Sequence, residues 1–336
     1  MADLLPPTYD RVGRHGLSPE VGHDDIARFN VLTSFNVHLG QRIFPGTKVA
    51  FENRVRPSFE KTHGRPVADQ REVRAAMRAD PAYQMWAALR RNTMEMRQQS
   101  GRAVVLRQLD RLNAKAAAYN EGKNTLQLDP SVPVPDYLAA VDNHWMPGSY
   151  YTEVVPGDVT AGACYDAGLF VTTAGSMSAR GDGAGRALVK YLRQAHPDFR
   201  PRRIMDLGGG IGVNTLPLAA AFPEADVIVV DVAAPTLRYG HARAQSLGYS
   251  NVQFVQMSAD DLRFDAGSFD WIQTTMFWHE TSSATLTRGL TRIHELLKPG
   301  GLCLNIEQPN FTPETPVWDR FSRDWDSWYN NEPFWA

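Results

Sequence analysis

With 336 residues, 43% of them apolar and 10% aromatic, the chain can bury a large core and lies outside the composition of disordered proteins. A formal net charge of −2 excludes a global electrostatic attraction to nucleic acid or to an anionic membrane. Two cysteines, Cys164 and Cys303, lie far apart without metal-ligand spacing, which predicts buried thiols in a reducing compartment and no metal site.

The opening "MADLLPPTYD" has no basic region followed by an apolar core, and no apolar run approaches the ~20 residues that span a bilayer. A cytoplasmic protein with no membrane partner is therefore expected. The first half is rich in helix formers with apolar residues three and four apart, as in "DDIARFNVLTSFNVHLGQRIF", "ADQREVRAAMRAD", "PAYQMWAALRRNTMEMRQQS" and "RAVVLRQLDRLNAKAAAYN". Residues 1–123 are read as a helical region for dimerisation and substrate enclosure. Trp86, Met85, Met94 and Met96 offer more apolar surface than one small sheet domain covers, so a homodimer joined through residues 24–120 is expected. Between Arg54 and Lys115 there are 14 Lys/Arg against 6 Asp/Glu. No aromatic-plus-basic RNA motif accompanies them, so they are read as solvent-facing and dimer-pairing arginines, against a nucleic-acid partner.

From 124 to 183 the chain fills with Pro and Gly, too long for a plain loop, and is read as a connecting and lid segment. Residues 184–336 then alternate. "RRIMDL", "ADVIVVDV", "VQFVQM", "FDWIQTTMF" and "LCLNIEQP" read as strands. "NTLPLAAAF", the stretch to Leu247 and "SSATLTRGLTRIHELLKPGG" read as the intervening helices. Alternation with apolar strands predicts an α/β fold, a doubly wound, mostly parallel, Rossmann-like sheet covered on both faces.

Within that half, "RRIMDLGGGIGVNTL" places four glycines in six residues between a strand and a helix. The dinucleotide pattern Gly-x-Gly-x-x-Gly fails at Val213 and at Thr215, and no lysine follows to make a phosphate loop. What remains, Asp206-x-Gly208-x-Gly210-x-Gly212, resembles the first motif of the class I S-adenosylmethionine-dependent methyltransferases. The resemblance spans about residues 184–311 and implies S-adenosyl-L-methionine as cofactor, with Asp206, Gly208, Gly210 and Gly212 against its amino-acid and ribose portions. Asp231, at the end of the next strand, would accept the ribose hydroxyls; helix capping is the alternative. The adenine contact falls at Ser258 and Ala259, with Asp260 as the acid in reach, where the family usually has an acid directly after the strand.

The stretch "TTMFWHETS" lacks the Pro-Pro-Tyr/Phe and Pro-Cys signatures of nucleic-acid enzymes and is similar to small-molecule O-methyltransferases, many of them in secondary metabolism. By that resemblance His279 is the catalytic base, Glu280 its neighbour in the pair, and Glu307 the carboxylate orienting the histidine. A histidine titrating near neutrality can take a hydroxyl proton, and a carboxylate can fix its tautomer. N-methylation by alignment and desolvation, and a non-catalytic scaffold keeping the cofactor fold, remain open alternatives. His144 is read as a core or interface histidine. The resemblance also calls for a closing antiparallel hairpin. The 25 residues after Phe311 do not read as two strands, so either the chain as given stops short or the sheet closes otherwise.

Overall fold

The computed structural model describes residues 6–308 and 311–332; the first residues of the stretch read for a leader, 1–5, lie outside the described residues, as do 309–310 and 333–336. The first helix, α1 (His23–His38), runs on through α2 (Phe44–Ala50) and α3 (Arg56–His63) as one helical rod. Two π-helical turns, Leu39–Ile43 and Phe51–Val55, join the three pieces. Each π turn immediately precedes a proline, Pro45 or Pro57, which has no N–H for the regular ladder, so the backbone widens by one residue instead of breaking. The helical stretch read from the sequence ended at Phe44, whereas the rod continues to His63.

Helices α4 (Gln70–Met77), α5 (Pro81–Leu106) and α6 (Leu109–Asn120) follow. Asp69 and Asp80 cap the first two by accepting from backbone N–H groups of the first turn. The segment 124–183 contains more than connections. It carries a short strand, β1 (Leu126–Gln127), the single-turn helix α7 (Asp136–Ala139) and a buried helix, α8 (Thr160–Thr172). The many small residues of α8, among them Ala161, Gly162, Ala163, Ala167 and Gly168, are all buried and let it lie closely against α5 and the later α11. Composition that reads as loop is here composition for close helix packing.

From α9 (Gly183–Ala195) the predicted alternation appears: β2 (Arg203–Leu207), α10 (Thr215–Ala221), β3 (Asp226–Asp231), α11 (Ala234–Ser246), β4 (Val252–Gln256), β5 (Phe269–Thr275), α12 (Ser283–Leu296) and β6 (Leu297–Ile306). The six strands pair in the order β1-β4-β3-β2-β5-β6, every pair parallel. Alternate residues feed two separate cores. Ile204, Val227, Val229, Phe254 and Trp271 pack on one face, and Met205, Leu207, Ile228, Val230 and Ile272 on the other. The doubly covered sheet is thus the expected Rossmann-like fold, and its switch point lies between β2 and its neighbours β3 and β5.

Among the described residues no antiparallel strand follows β6. The chain instead returns as α13 (Val317–Asn330) to the helical half. Trp325 stacks beside Trp86 with ring centroids 4.5 Å apart, Trp318 lies 5.1 Å from Phe51, and Asp324 pairs with Arg74. Each fully buried aromatic of this kind stabilises the contact by about 1.5–3 kcal/mol. Trp86 and Met94, counted above as surface for a second subunit, are covered by this cluster within one chain. Many arginines of the basic stretch likewise pair inside the chain: Arg54 with Asp80, Arg65 with Glu72, Arg107 with Asp25. Cys164 is buried as read from the sequence, whereas Cys303 sits exposed on β6, contrary to expectation, because β6 is the edge strand of the sheet. Among the described residues no helix is long and apolar enough to cross a membrane.

Candidate active site

Parallel strands bring their carboxyl ends to one edge, and the singled-out residues gather there. After β2 the glycine turn has three positive-φ residues, Gly208 (70°), Gly210 (51°) and Gly212 (73°). They are glycine for different reasons. A Cβ on Gly208 would sit 2.1 Å from the Phe277 ring, and one on Gly212 would meet Phe254 at 3.0 Å, so both admit close packing inside the chain. A Cβ on Gly210 would meet only the Asp231 carboxylate, at 4.0 Å, and otherwise open space. Gly210 is therefore the position of the turn where bare backbone borders open space.

Asp231 ends β3 beside it. Its Oδ2 accepts the Gly210 N–H and its Oδ1 the Ala233 N–H, both at 2.9 Å. Burial pushes its carboxyl up, against the pull of those N–H groups. Asp231 therefore ties the glycine turn to the residue that leads into α11, and α11 itself has no side-chain cap. Asp206 is turned inward. It accepts the Thr215 hydroxyl at 2.5 Å, its Oδ1 has no partner, and burial pushes it up to about 6. It braces the turn from below. After β4, Ser258 and Ala259 are buried, and Ser258 Oγ accepts the Asp260 N–H at 3.2 Å. The Asp260 carboxylate accepts from Thr285 at 3.1 Å and from Arg288 at 2.6 and 3.0 Å, which ties it to α12.

On the other side of β2, strand β5 ends at Thr275 and Met276 takes a left-handed φ of 53°. That conformation is costly for a long side chain and is held where surroundings require it. It turns the chain into the short helical turn Trp278–Glu280. His279, 4% exposed, places Nδ1 2.5 Å from Oε1 of Glu307, 28 residues on at the end of β6. A carboxylate only accepts, so Nδ1 carries the proton and the imidazole lone pair sits on Nε2. Glu307 is fixed in turn by the backbone N–H groups of Trp278 and Gln308, at 2.8 and 2.9 Å. Burial alone would lower the His279 pKa, but Glu307 and Glu280 outweigh it and hold it above the ordinary 6.5.

Glu280 lies between two histidines. Its Oε1 is 3.9 Å from His279 Nε2 and accepts from His144 Nε2 at 2.6 Å and from the Tyr150 hydroxyl at 3.1 Å. Burial opposes its ionisation, yet His144 and His279 hold it below the usual carboxylate range. His144, read from the sequence as a core or interface histidine, therefore lies beside Glu280 at the strand ends. Three left-handed residues, His144, Trp145 and Ser149, shape the loop that delivers it together with Tyr150. Its Nδ1 accepts from Asn330 and lies 3.3 Å from Glu332, whose carboxyl burial pushes up to about 7. His144, His279 and Glu280 bring donor atoms within 4.8 Å of one another, close enough to chelate a small cation, although hydrogen bonds already engage them. The only sequence signal for this second shell of groups is the crowding of His and Tyr in "NHWMPGSYY".

Residues 204–301 match the family model described as a methyltransferase domain. Match and fold together define this part of the chain as a class I S-adenosylmethionine-dependent methyltransferase domain. A stretch of 125 residues is 34% identical to the demethylmenaquinone methyltransferase of Symbiobacterium thermophilum, covering 36% of this chain and 48% of that one. Another, of 145 residues, is 30% identical to the ubiquinone/menaquinone biosynthesis C-methyltransferase of Proteus mirabilis, covering 42% and 57%. The chain thus spans about half the length of the curated relatives it matches. Among solved structures it is similar to phosphoethanolamine N-methyltransferase 2 of Haemonchus contortus, at 21% identity and a TM-score of 0.35, over 46% of this chain and 34% of that one.

The residues present fit the cofactor: open space borders the bare backbone of Gly210, and the Asp231 carboxylate stands beside it. Asp231→Ala is expected to weaken cofactor binding by about 1.5–3 kcal/mol, the worth of hydrogen bonds to a charged group. Calorimetric titration with S-adenosylhomocysteine checks this, and unchanged affinity would remove Asp231 from the ribose.

Proposed function

We propose that the protein transfers a methyl group from S-adenosyl-L-methionine to a hydroxyl of a small molecule, with His279 as general base. One observation carries the reading: the His279–Glu307 pair, at the ends of the adjacent strands β5 and β6, faces the same sheet edge as Gly210 and Asp231. When bound, the cofactor supplies an electrophilic methyl group on a sulfonium. The chain supplies the rest. Gly210 and Asp231 hold the ligand at the turn, and Ser258 and Ala259 border the adenine position. His279 Nε2 takes the hydroxyl proton, and Glu307 keeps the imidazole in the required tautomer and stabilises the imidazolium.

A second reading, methylation at carbon, is favoured by the named activity of the Proteus mirabilis relative. A base that ionises a phenol also activates the ring carbons beside it, so both outcomes start from the same proton transfer. Incubation with methyl-labelled cofactor and a panel of phenols, alcohols and amines, with the labelled position assigned by NMR, tests the proposal. Label on oxygen is expected; label on carbon or nitrogen would replace the hydroxyl as acceptor. Cofactor binding with no transfer to any acceptor would support a scaffold.

The helical half offers Val31, Val49, Met85 and Met96 as exposed apolar residues on α1, α2 and α5. A homodimer through residues 24–120 is expected, and light scattering at micromolar concentration that reports a monomer would contradict it.

A further inference from the structure

The helical half also contributes cations to the interior, Arg74, which pairs with Asp324, and Arg97. Arg97 lies on the inward face of α5, 3% exposed, and makes no hydrogen bond or ion pair with any described residue. Its Nε is fully enclosed without a partner. A buried guanidinium left unpaired is costly, and proteins keep one where something else completes it. Its neighbour Gln98 donates to the His144 carbonyl at 3.0 Å, so this turn of α5 borders the loop that carries His144 and Tyr150. The groups acting on Arg97 electrostatically are Arg90 and Asp326, which lie 3.6 Å from each other, and then Tyr150 and Glu332, both members of the cluster around Glu280. Burial pushes the guanidinium down to about 10, which leaves it cationic at neutral pH.

The acids of the cavity are committed elsewhere. Glu280 is held by His144 and Tyr150, and Glu332 by Asn330. Among the described residues Arg74 and Arg243 are also buried with an enclosed, unpartnered nitrogen, but Arg74 pairs with Asp324 and Arg243 acts on the buried Asp166 carboxylate. The acids that act on Arg97, Asp326 and Glu332, make no ion pair with it.

We infer that Arg97 is a recognition residue for a carboxylate on the methyl acceptor, so that the substrate class is a hydroxy acid whose carboxylate meets the guanidinium while its hydroxyl faces His279. The inference rests on the methyl-transfer reading for the hydroxyl, but the carboxylate contact can be read separately. A planar guanidinium fork matches a carboxylate in two parallel hydrogen bonds, which a neutral amide cannot reproduce.

The test uses 4-hydroxybenzoate and its neutral isostere 4-hydroxybenzamide, titrated calorimetrically into the whole protein with S-adenosylhomocysteine present. Wild type should bind the acid about 10- to 100-fold more tightly than the amide, the range for charge-assisted hydrogen bonds. Arg97→Met should abolish the preference, keep S-adenosylhomocysteine binding, and melt at or above the wild-type temperature, because an unpaired buried charge has been removed. Arg97→Lys, which keeps the charge without the fork, should retain part of the preference. Equal binding of the two probes, no binding of either, or a preference surviving in Arg97→Met would overturn the inference. So would a marked drop in the melting temperature of Arg97→Met, since the guanidinium would then belong to the fold. Failure of wild type to bind S-adenosylhomocysteine would strike the methyl-transfer reading instead, and the probe comparison repeated without it still decides the role of Arg97.

Discussion

Replacing His279 by alanine should cut turnover by about 10²–10⁴-fold, the usual worth of a positioned general base, while S-adenosylhomocysteine binds as before. The separation follows from geometry. His279 is held by Glu307 and lies near Glu280, whereas the glycine turn is held by Asp231 on the opposite side of β2. A loss confined to the Michaelis constant for the acceptor would make His279 a binding group. A rate unchanged by the substitution would leave the acceptor an amine, needing only desolvation and alignment. Because Glu307 also accepts the Trp278 N–H, the turn carrying residue 279 keeps an anchor in the variant.

The second large effect belongs to Gly210. Gly210→Val should reduce cofactor affinity below detection in a folded protein. No atom of the chain lies closer than 4.0 Å to the added Cβ, so the branched side chain would project into that open space. The backbone there has φ 51°, which costs an L-residue roughly 1–2 kcal/mol, a loss that a domain of this size survives. Gly210→Asn separates the two causes, since asparagine tolerates a left-handed backbone yet still fills the volume. Both variants should lose S-adenosylhomocysteine in calorimetry and keep their circular dichroism. Normal affinity in either would mean that the ligand does not lie against this turn. The same substitutions at Gly208 would report on something else, the packing of Phe277.

The strand ends could be read from sequence because their physics is local. Apolar β-branched runs such as "DVIVVD" pair in a parallel sheet whatever surrounds them, and four of the five read strands ended within two residues of their expected place. The fifth, β6, begins at Leu297, inside the stretch read as helix, and ends at Ile306. The same holds for the site residues that sit directly on those ends, Asp231, His279 and Glu307. What could not be read depends on partners distant in the chain. Pro45 and Pro57 signal helix ends until the rod is seen to absorb them as π turns. The Gly- and Ala-rich stretch of α8 resembles a loop until α5 and α11 are packed against it. The carboxyl-terminal residues after β6 form a helix because Trp318, Phe321 and Trp325 find Phe51, Tyr83 and Trp86. His144 reaches the site only through that tertiary arrangement, so no spacing rule could have selected it.

The central claim is that a histidine raised and oriented by Glu307 performs the proton transfer, and the pH dependence of methyl transfer by wild type and Glu307→Gln tests it most directly. The base must be neutral to act, so the wild-type rate should fall as pH drops through a His279 pKa above the ordinary 6.5. Glutamine can still accept the Nδ1 proton's hydrogen bond but removes the Glu307 charge, leaving Glu280 and Glu332 alone to oppose the lowering by burial. The acid limb should therefore move to lower pH, with a smaller maximal rate. A limb that stays in place in Glu307→Gln, or a wild-type rate independent of pH between about 5 and 8, would contradict the account.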